Sequence, residues 1–386
     1  MRAIVEDRIV VWEAAAEEPA GHACEPRIVR LRSGEILVAH RQGVRRESPD
    51  GRPHLLRSRD DGRSWEDLGR PFDSAEFASA GFDLRGAALA QLASGDVLTA
   101  IIGLDKRLDR PVYNPDGEGL VPIVNIFSRS SDAGSTWSAP WRLTGQPIPQ
   151  TASQGLLTLP DGDVLLTFET FKEYDEVGPW RYQGGLLRSS DEGRTWGSQV
   201  ISARSDFEAD PYDTMWWDPR IARLEDGTQV QFYYAFRHRG SGEGPVHFGL
   251  SVDDGRTWTP PTSTTLQGQA TYPIALPDGG PESSGRALVA FQQRRTDPQT
   301  MVLHYSPDGG ASFDSAFSTV IYSHEAQSAA AADGSLSSFD YLISMDRFTF
   351  GHPCGVALAP DRVLLVWYAG GMTRTAIHAA TVRLEA

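Results

Sequence analysis

The chain has 386 residues, a formal net charge of −15, 40% hydrophobic residues, 38 glycines and 25 prolines. The acidity argues against nucleic acid and anionic membranes as partners, and no apolar run approaches the ~20 residues of a membrane span. The opening residues, Met1-Arg2-Ala3-Ile4-Val5-Glu6-Asp7-Arg8, lack the apolar core of a signal peptide, so a cytoplasmic, turn-rich β protein is expected.

Arg8-Ile9-Val10-Val11-Trp12 reads as an outer strand. Behind it one unit recurs: an apolar strand, a glycine-containing turn and a second apolar strand. The turns are Ser33-Gly34-Glu35, Ser94-Gly95-Asp96, Asp161-Gly162-Asp163, Asp226-Gly227-Thr228, Asp278-Gly279-Gly280 and Pro360-Asp361-Arg362. Strands such as Asp163-Val164-Leu165-Leu166-Thr167 follow them, as hairpins require. Two cysteines, Cys24 and Cys354, are too few for a disulfide framework and read as reduced core thiols. They fall near the starts of the first and last units, where a closing bridge is the alternative.

A second repeat runs through the same units. Residues 130–137, 189–196 and 251–258 read Ser-x-Asp-x-Gly-x-Thr-Trp, 58–65 has Ser64 in the threonine place, and 306–313 is a worn copy closed by Ser312 and Phe313. Aspartate in a tight turn accepts backbone N–H groups ahead of it, glycine supplies a positive φ, the Thr or Ser hydroxyl closes the loop onto the backbone, and the tryptophan buries its face on neighbouring strands. These aspartates are therefore staples and not catalysts. Recurrence at five places marks a repeat architecture.

The octapeptide resembles the Asp box of the sialidase superfamily, whose members are β-propellers, and the resemblance covers about 27–361. The expected fold is all-β, a sialidase-like six-bladed β-propeller forming one domain over 1–386. Asp boxes fall in blades one to five, and the N-terminal strand pairs beside 377–384 to close blade six. Closure removes an open sheet edge. Longer irregular segments at 47–54, 104–120, 171–182, 202–215 and 323–348 are expected to build the rim of a site.

In a propeller the first strand of each blade lines the central channel. The entrances to these strands are Cys24-Glu25-Pro26-Arg27-Ile28, Asp83-Leu84-Arg85-Gly86, Thr151-Ala152-Ser153-Gln154-Gly155, Trp217-Asp218-Pro219-Arg220-Ile221, Thr271-Tyr272-Pro273-Ile274 and Gly351-His352-Pro353-Cys354. The first and fourth are near-copies: acid, Pro, Arg, Ile. Strand alternation puts Glu25 with Arg27, and Asp218 with Arg220, on one face. Two carboxylates and two guanidiniums near one axis are either a structural ion-pair ring or an acid–base pair with arginines orienting a sugar. Second strands end on the same rim with His40-Arg41, Asp105-Lys106, Glu169, Arg237-His238-Arg239, Arg294-Arg295 and Tyr368. Guanidinium groups on several blades suit an anionic or highly hydroxylated ligand. Aromatics outside the Asp boxes, Trp180, Tyr182, Tyr212, Trp216, Trp217, Tyr272 and Tyr322, offer faces for sugars or for the core.

The resemblance implies an arginine triad on the substrate carboxylate, a tyrosine nucleophile paired with a glutamate, and an aspartate acid/base on a blade-one loop. Asp218 falls at the glutamate's place, Arg237 and Arg294 or Arg295 stand for two triad arginines, and Asp50 stands for the acid/base. Cys24 occupies the place of the first arginine, and His352-Pro353 that of the tyrosine. Ordinary double-displacement release of sialic acid is therefore not expected. The expected activity is exo-acting hydrolysis of a terminal acidic or deoxy sugar of a glycan. Asp218 and Glu25 form the catalytic pair, helped by His352 and Asp50. Arg27, Arg220, Arg237, Arg294, Arg295, Tyr272 and Trp217 bind substrate. Two alternatives stay open: a polysaccharide lyase acting at a uronic acid with His352, His40 or Tyr272 as base, and a non-catalytic propeller that binds sugar or protein. The expected partner is a carbohydrate, with no metal or cofactor.

Overall fold

The computed structural model describes residues 2–70, 77, 80–108, 110–117, 119–145, 151–178, 182–205, 210, 214–237, 242–282, 285–294, 298–324 and 347–385, with the backbone alone at 151–154, 198, 242–243 and 281–282. Among them the regular structure is strand, antiparallel except for one parallel pair, broken by two short 3-10 turns at Pro277–Glu282 and Ser315–Phe317. No described helix is long and apolar enough to cross a membrane.

The propeller expectation is met in architecture but corrected in its number of blades. The strands form five hydrogen-bonded sheets and not six separate ones. Four sheets have four or five strands. They begin at Phe82–Gln91, Thr151–Thr158, Thr214–Arg223 and Thr271–Ala275. The fifth is a single eight-stranded sheet. It runs from Phe350–Ala359 through Arg362–Gly370 and Thr375–Glu385 into His22–Arg30, Ile36–Gly43, Arg52–Ser58 and Glu66–Gly69. The cause is local. His22 pairs in parallel with Thr375, the Thr375 N–H donates to Gly21 O at 3.2 Å, and its hydroxyl donates to Ala23 O at 2.7 Å. These bonds carry the ladder across what the repeats present as a boundary between first and last units.

Arg2–Trp12 lies on the far side of Thr375–Glu385, antiparallel, with Val10 opposite His378 and Trp12 opposite Ile377. The Trp12 indole N–H also donates to Asp67 at 3.2 Å, so this strand ties the last strand of the chain to Glu66–Gly69. Val11 is buried, and Val5, Ile9 and Trp12 pack on the cores beneath. Deleting residues 1–12 should expose the edge of Thr375–Glu385. We expect a lower melting temperature and concentration-dependent association in size-exclusion chromatography.

The Asp-box turns have one hydrogen-bond pattern, seen in full at 251–258. The Ser251 hydroxyl donates to Asp253 Oδ1 at 2.8 Å and accepts the Gly255 N–H at 2.9 Å. Asp253 also accepts the Thr257 N–H at 2.8 Å and the Thr257 hydroxyl at 2.6 Å. The hydroxyl thus closes the turn onto the carboxylate and not onto the backbone. The worn copy keeps the pattern: Ser312 donates to Asp308 at 2.8 and 2.6 Å. Burial would raise the Asp253 carboxyl, but these donors outweigh it and hold it at about 2. Asp253→Ala should cost about 1–3 kcal/mol, two or three net hydrogen bonds, in a urea melt. Because the folded value is depressed, that contribution is present above the ordinary value of 3.8 and is lost as pH falls through about 2.

Apolar side chains fill the spaces between neighbouring sheets. Val289, Phe291 and Leu303 of one sheet meet Val363, Leu365 and Trp367 of the next. Cys24 and Ile28 share a second cluster with Cys354 and Val366. Both thiols are free and buried, and burial pushes Cys24 up to about 11 and Cys354 up to about 12.

Candidate active site

Glu25, Asp218 and His352 each precede a proline at the entrance of an inner strand, and their φ angles are +56°, +51° and +49°. Residues with side chains seldom occupy this region, and a following proline disfavours helical conformations further. At each site the ladder slips: between Cys24 and Arg27, between Trp217 and Arg220, and between Gly351 and Cys354. The proline brings no N–H that the slip would orphan. Simple alternation is therefore broken at these entrances. The bulges, and not the strand period, turn Glu25, Asp218 and His352 into one cavity of about 140 Å³. Strain of this kind is retained where surrounding contacts enforce it, and it concentrates at functional sites.

One end of the cavity is charged. Glu25 Oε2 accepts the Gly86 N–H at 3.1 Å, and Oε1 lies 3.5 Å from Arg85 and 3.6 Å from Arg46. Burial alone would raise Glu25, but Arg85, Arg46 and the Gly86 N–H hold it well below the usual carboxylate range. Arg85 also bonds Glu47 and lies 3.2 Å from Asp83, whose other oxygen takes Arg41 at 2.8 Å. All four arginine and aspartate side chains named with Glu25 here are nearly or fully buried. Arg27 lines the same end and forms no ion pair among the described residues; its guanidinium donates to Pro26 O at 3.0 Å. Burial, aided by Arg220, brings its guanidinium down to about 10. Burial likewise drives His352 well below the ordinary histidine value, so the ring is neutral. Its Nε2 faces Arg46 at 3.3 Å and must accept there, which leaves the proton on Nδ1, a buried atom without a partner among the described residues.

At the other end Glu169 and Asp218 meet. Asp218 Oδ1 takes the buried Arg220 guanidinium at 2.7 Å, and the Asp218 N–H donates to Glu169 Oε2 at 2.8 Å. Burial raises the Glu169 carboxyl, and the Asp218 charge raises it further; together they outweigh the Asp218 N–H and hold it well above the usual range. Against Glu169 stands an apolar wall that includes Tyr113, Phe171 and Trp217. Trp217 stacks on Phe236 with ring centroids 4.7 Å apart, and its indole N–H is buried without a partner among the described residues.

Of the residues picked out from sequence, Glu25, Asp218, His352, Arg27 and Trp217 come together here, with Arg220 directly behind Asp218. Others stand apart. Asp50 accepts the Val44 N–H at 3.0 Å, which braces its loop, and does not line the cavity. Arg237 and Arg294 end their strands without reaching the lining. Tyr272 borders the wider opposite stretch of the channel, beside Arg30 and Ile221. Arg295, His238, Arg239, Trp180 and Tyr212 lie outside the described residues. Glu169 was legible only as a rim residue, Glu47 only as the start of the 47–54 rim segment, and Arg46 carried no signal in the sequence. Asp83 and Arg85 did: they repeat the acid-x-arginine spacing of Glu25 and Arg27 at the next entrance. Among the described residues no group of three or more His, Cys, Asp or Glu is placed to hold a metal ion.

The sequence profile of the BNR repeat-like domain matches residues 114–319. No curated protein matches the sequence. Among solved structures, a protein of unknown function from Dyadobacter fermentans DSM 18053 superposes with a TM-score of 0.71 at 18% identity, covering 99% of each chain. The Hadza microbial sialidase Hz136 gives 0.69 at 17% identity, over 98% of this chain and 68% of that one. An α-L-arabinanase from Penicillium chrysogenum, complexed with arabinobiose, gives 0.62 at 14% identity over 98% of each. At these identities the likeness is one of fold, a β-propeller shared with glycoside hydrolases.

Proposed function

Since the chain belongs to the BNR repeat-like domain family, we propose that it is a glycoside hydrolase that removes one terminal sugar from a glycan, with Glu169 and Asp218 as its working carboxyls. The observation that carries this reading is their contact: a buried carboxyl that accepts the Asp218 N–H, beside an arginine-paired one, both lining one cavity. A carboxyl raised by burial, set beside one paired with an arginine, allows the acid and anion roles to be divided between them. Glu169 protonates the glycosidic oxygen as the bond from the anomeric carbon breaks. Asp218 meets the positive charge on the sugar ring, as nucleophile or by activating water, and water supplies the hydroxyl of the released sugar.

Glu25 takes a different part from the one expected. Its two oxygens are held by Arg85, Arg46 and the Gly86 N–H, so it serves as a fixed anion that orients those guanidiniums toward substrate hydroxyls. Arg27 and the His352 Nδ1–H add donors at the same end. Elimination at a uronic acid gains nothing from this geometry, because the lone pair of neutral His352 is directed at Arg46 and is not open to abstract a proton.

The test is a panel of chromogenic glycosides, sialosides included, assayed with the native chain, Asp218→Asn and Glu25→Gln. Asp218→Asn should lose at least ~100-fold in kcat/KM. Glu25→Gln should act mainly through KM. No turnover of any glycoside by the native chain, or equal losses in kcat for both variants, defeats this assignment.

A further inference from the structure

The two ends of the cavity differ in kind, and the difference restricts what fills it. The charged end presents the Arg27, Arg46 and Arg85 guanidiniums and the His352 ring around the Glu25 carboxylate. The other wall is aliphatic: Ile102, Leu104, Val112, Leu120 and Ile123 line it and belong to one apolar cluster. None of these side chains donates or accepts a hydrogen bond. Backbone groups do not compensate, because the segment that carries them pairs with itself and its neighbour. Val121 N–H donates to Val112 O at 3.0 Å, Leu120 N–H to Lys172 O at 3.0 Å, and Asn114 N–H to Gly119 O at 2.7 Å. Lys172 Nζ fixes the arrangement by donating to Gly117 O and Gly178 O, each at 2.9 Å. The polar groups on this side are the Glu169 carboxyl, the Tyr113 and Tyr234 hydroxyls and the Trp217 indole N–H, set apart from the stretch of Ile102, Leu104 and Val112 in residue type.

Size adds a second restriction. A cavity of about 140 Å³ is close to the ~150 Å³ that holds a single benzene ring in an engineered apolar core. One sugar ring fits. A fully hydroxylated hexose carries hydroxyls around its whole edge, and one turned to Ile102, Leu104 and Val112 would leave water without a partner from those side chains. That penalty falls on the hydroxylated sugar and spares one whose edge is hydrocarbon.

We propose that the ring bound here is a 6-deoxyhexose, held with its methyl-bearing edge against Val112, Leu104 and Ile102 and its hydroxyls toward Arg27, Arg46 and Arg85. This assignment rests on the hydrolase reading for turnover but not for binding. The indole N–H of Trp217 then meets the ring oxygen or the glycosidic oxygen at the border between the two halves.

The experiment uses the full chain and three sugar pairs that differ only in the hydroxyl at carbon six: L-rhamnose and L-mannose, L-fucose and L-galactose, D-fucose and D-galactose. Each free sugar is titrated by calorimetry, and the matching 4-nitrophenyl glycosides are assayed for release of nitrophenolate. At least one 6-deoxy member should bind, or be cleaved, about 10-fold or more better than its hydroxylated partner, the cost of one buried hydroxyl left without a bond. Val112→Thr, which places a hydroxyl in the wall at nearly constant volume, should remove most of that preference. Deoxy-selective binding without cleavage upholds this proposal and defeats the hydrolase reading. Cleavage of the hydroxylated member as well as its partner does the reverse. No binding by any of the six sugars, or a preference untouched in a folded Val112→Thr protein, overturns the proposal.

Discussion

Replacing Glu169 by glutamine should lower kcat/KM at least ~100-fold on any glycoside the chain cleaves, and abolish the alkaline limb of its pH profile. The general acid must hold its proton. A carboxyl raised by burial and by the Asp218 charge keeps that proton at pH values where an exposed glutamate has lost it. Activity of the native chain should therefore fall as pH rises through the raised value, and the glutamine variant should show no such fall. A second signature separates this role from a structural one. The folded state binds the Glu169 proton more tightly than the unfolded chain does, so native stability declines as pH rises from the ordinary value of 4.5 toward the raised one. Glutamine escapes that decline and still accepts the Asp218 N–H. Urea melts at alkaline pH should find Glu169→Gln equal to or more stable than the native protein while it is nearly inactive. A variant that is both unstable and inactive would place Glu169 in the scaffold.

The largest expected effect on stability is at Arg85. It bonds Glu25, Glu47 and Asp83 at once, and its side chain is buried. Arg85→Leu leaves three carboxylates around one apolar side chain, with Arg41 and Arg46 as the remaining partners. Breaking a buried network in this way costs about 3–5 kcal/mol, because the surviving charges stay desolvated. The pH dependence should follow in sign. Glu25 is depressed in the native protein, so its contribution is present above its ordinary value of 4.5 and lost as pH falls through the folded value. The freed carboxylates of the variant take up protons more readily. The gap between native and variant in a denaturant melt should thus narrow between pH 7 and pH 4. A gap that is small at pH 7, or widens on acidification, would show that Arg85 does not hold the cluster.

Backbone chemistry was the readable part of the chain. Ser251, Asp253, Gly255 and Thr257 satisfy one another within eight residues, so the turn and its four other copies are legible wherever those residue types stand in order. The pairing of Arg2–Trp12 with Thr375–Glu385 was equally open, since only a closed ring leaves no bare edge. The join between His22 and Thr375 was not, because a single parallel pair leaves no periodic trace in either segment.

The amino-acid order by itself determined that this is a propeller of Asp-box repeats, and that Glu25, Asp218 and His352 stand at equivalent entrances, each before a proline. Tertiary structure alone decided what those side chains do. Proton affinity depends on burial and on charges a few ångströms away, contributed by Arg46, Arg85 and Glu169 from distant parts of the chain, and local residue order does not encode such distances. That is why Glu25 stands as an anchored anion, and why the raised carboxyl that the proposed acid role requires is that of Glu169.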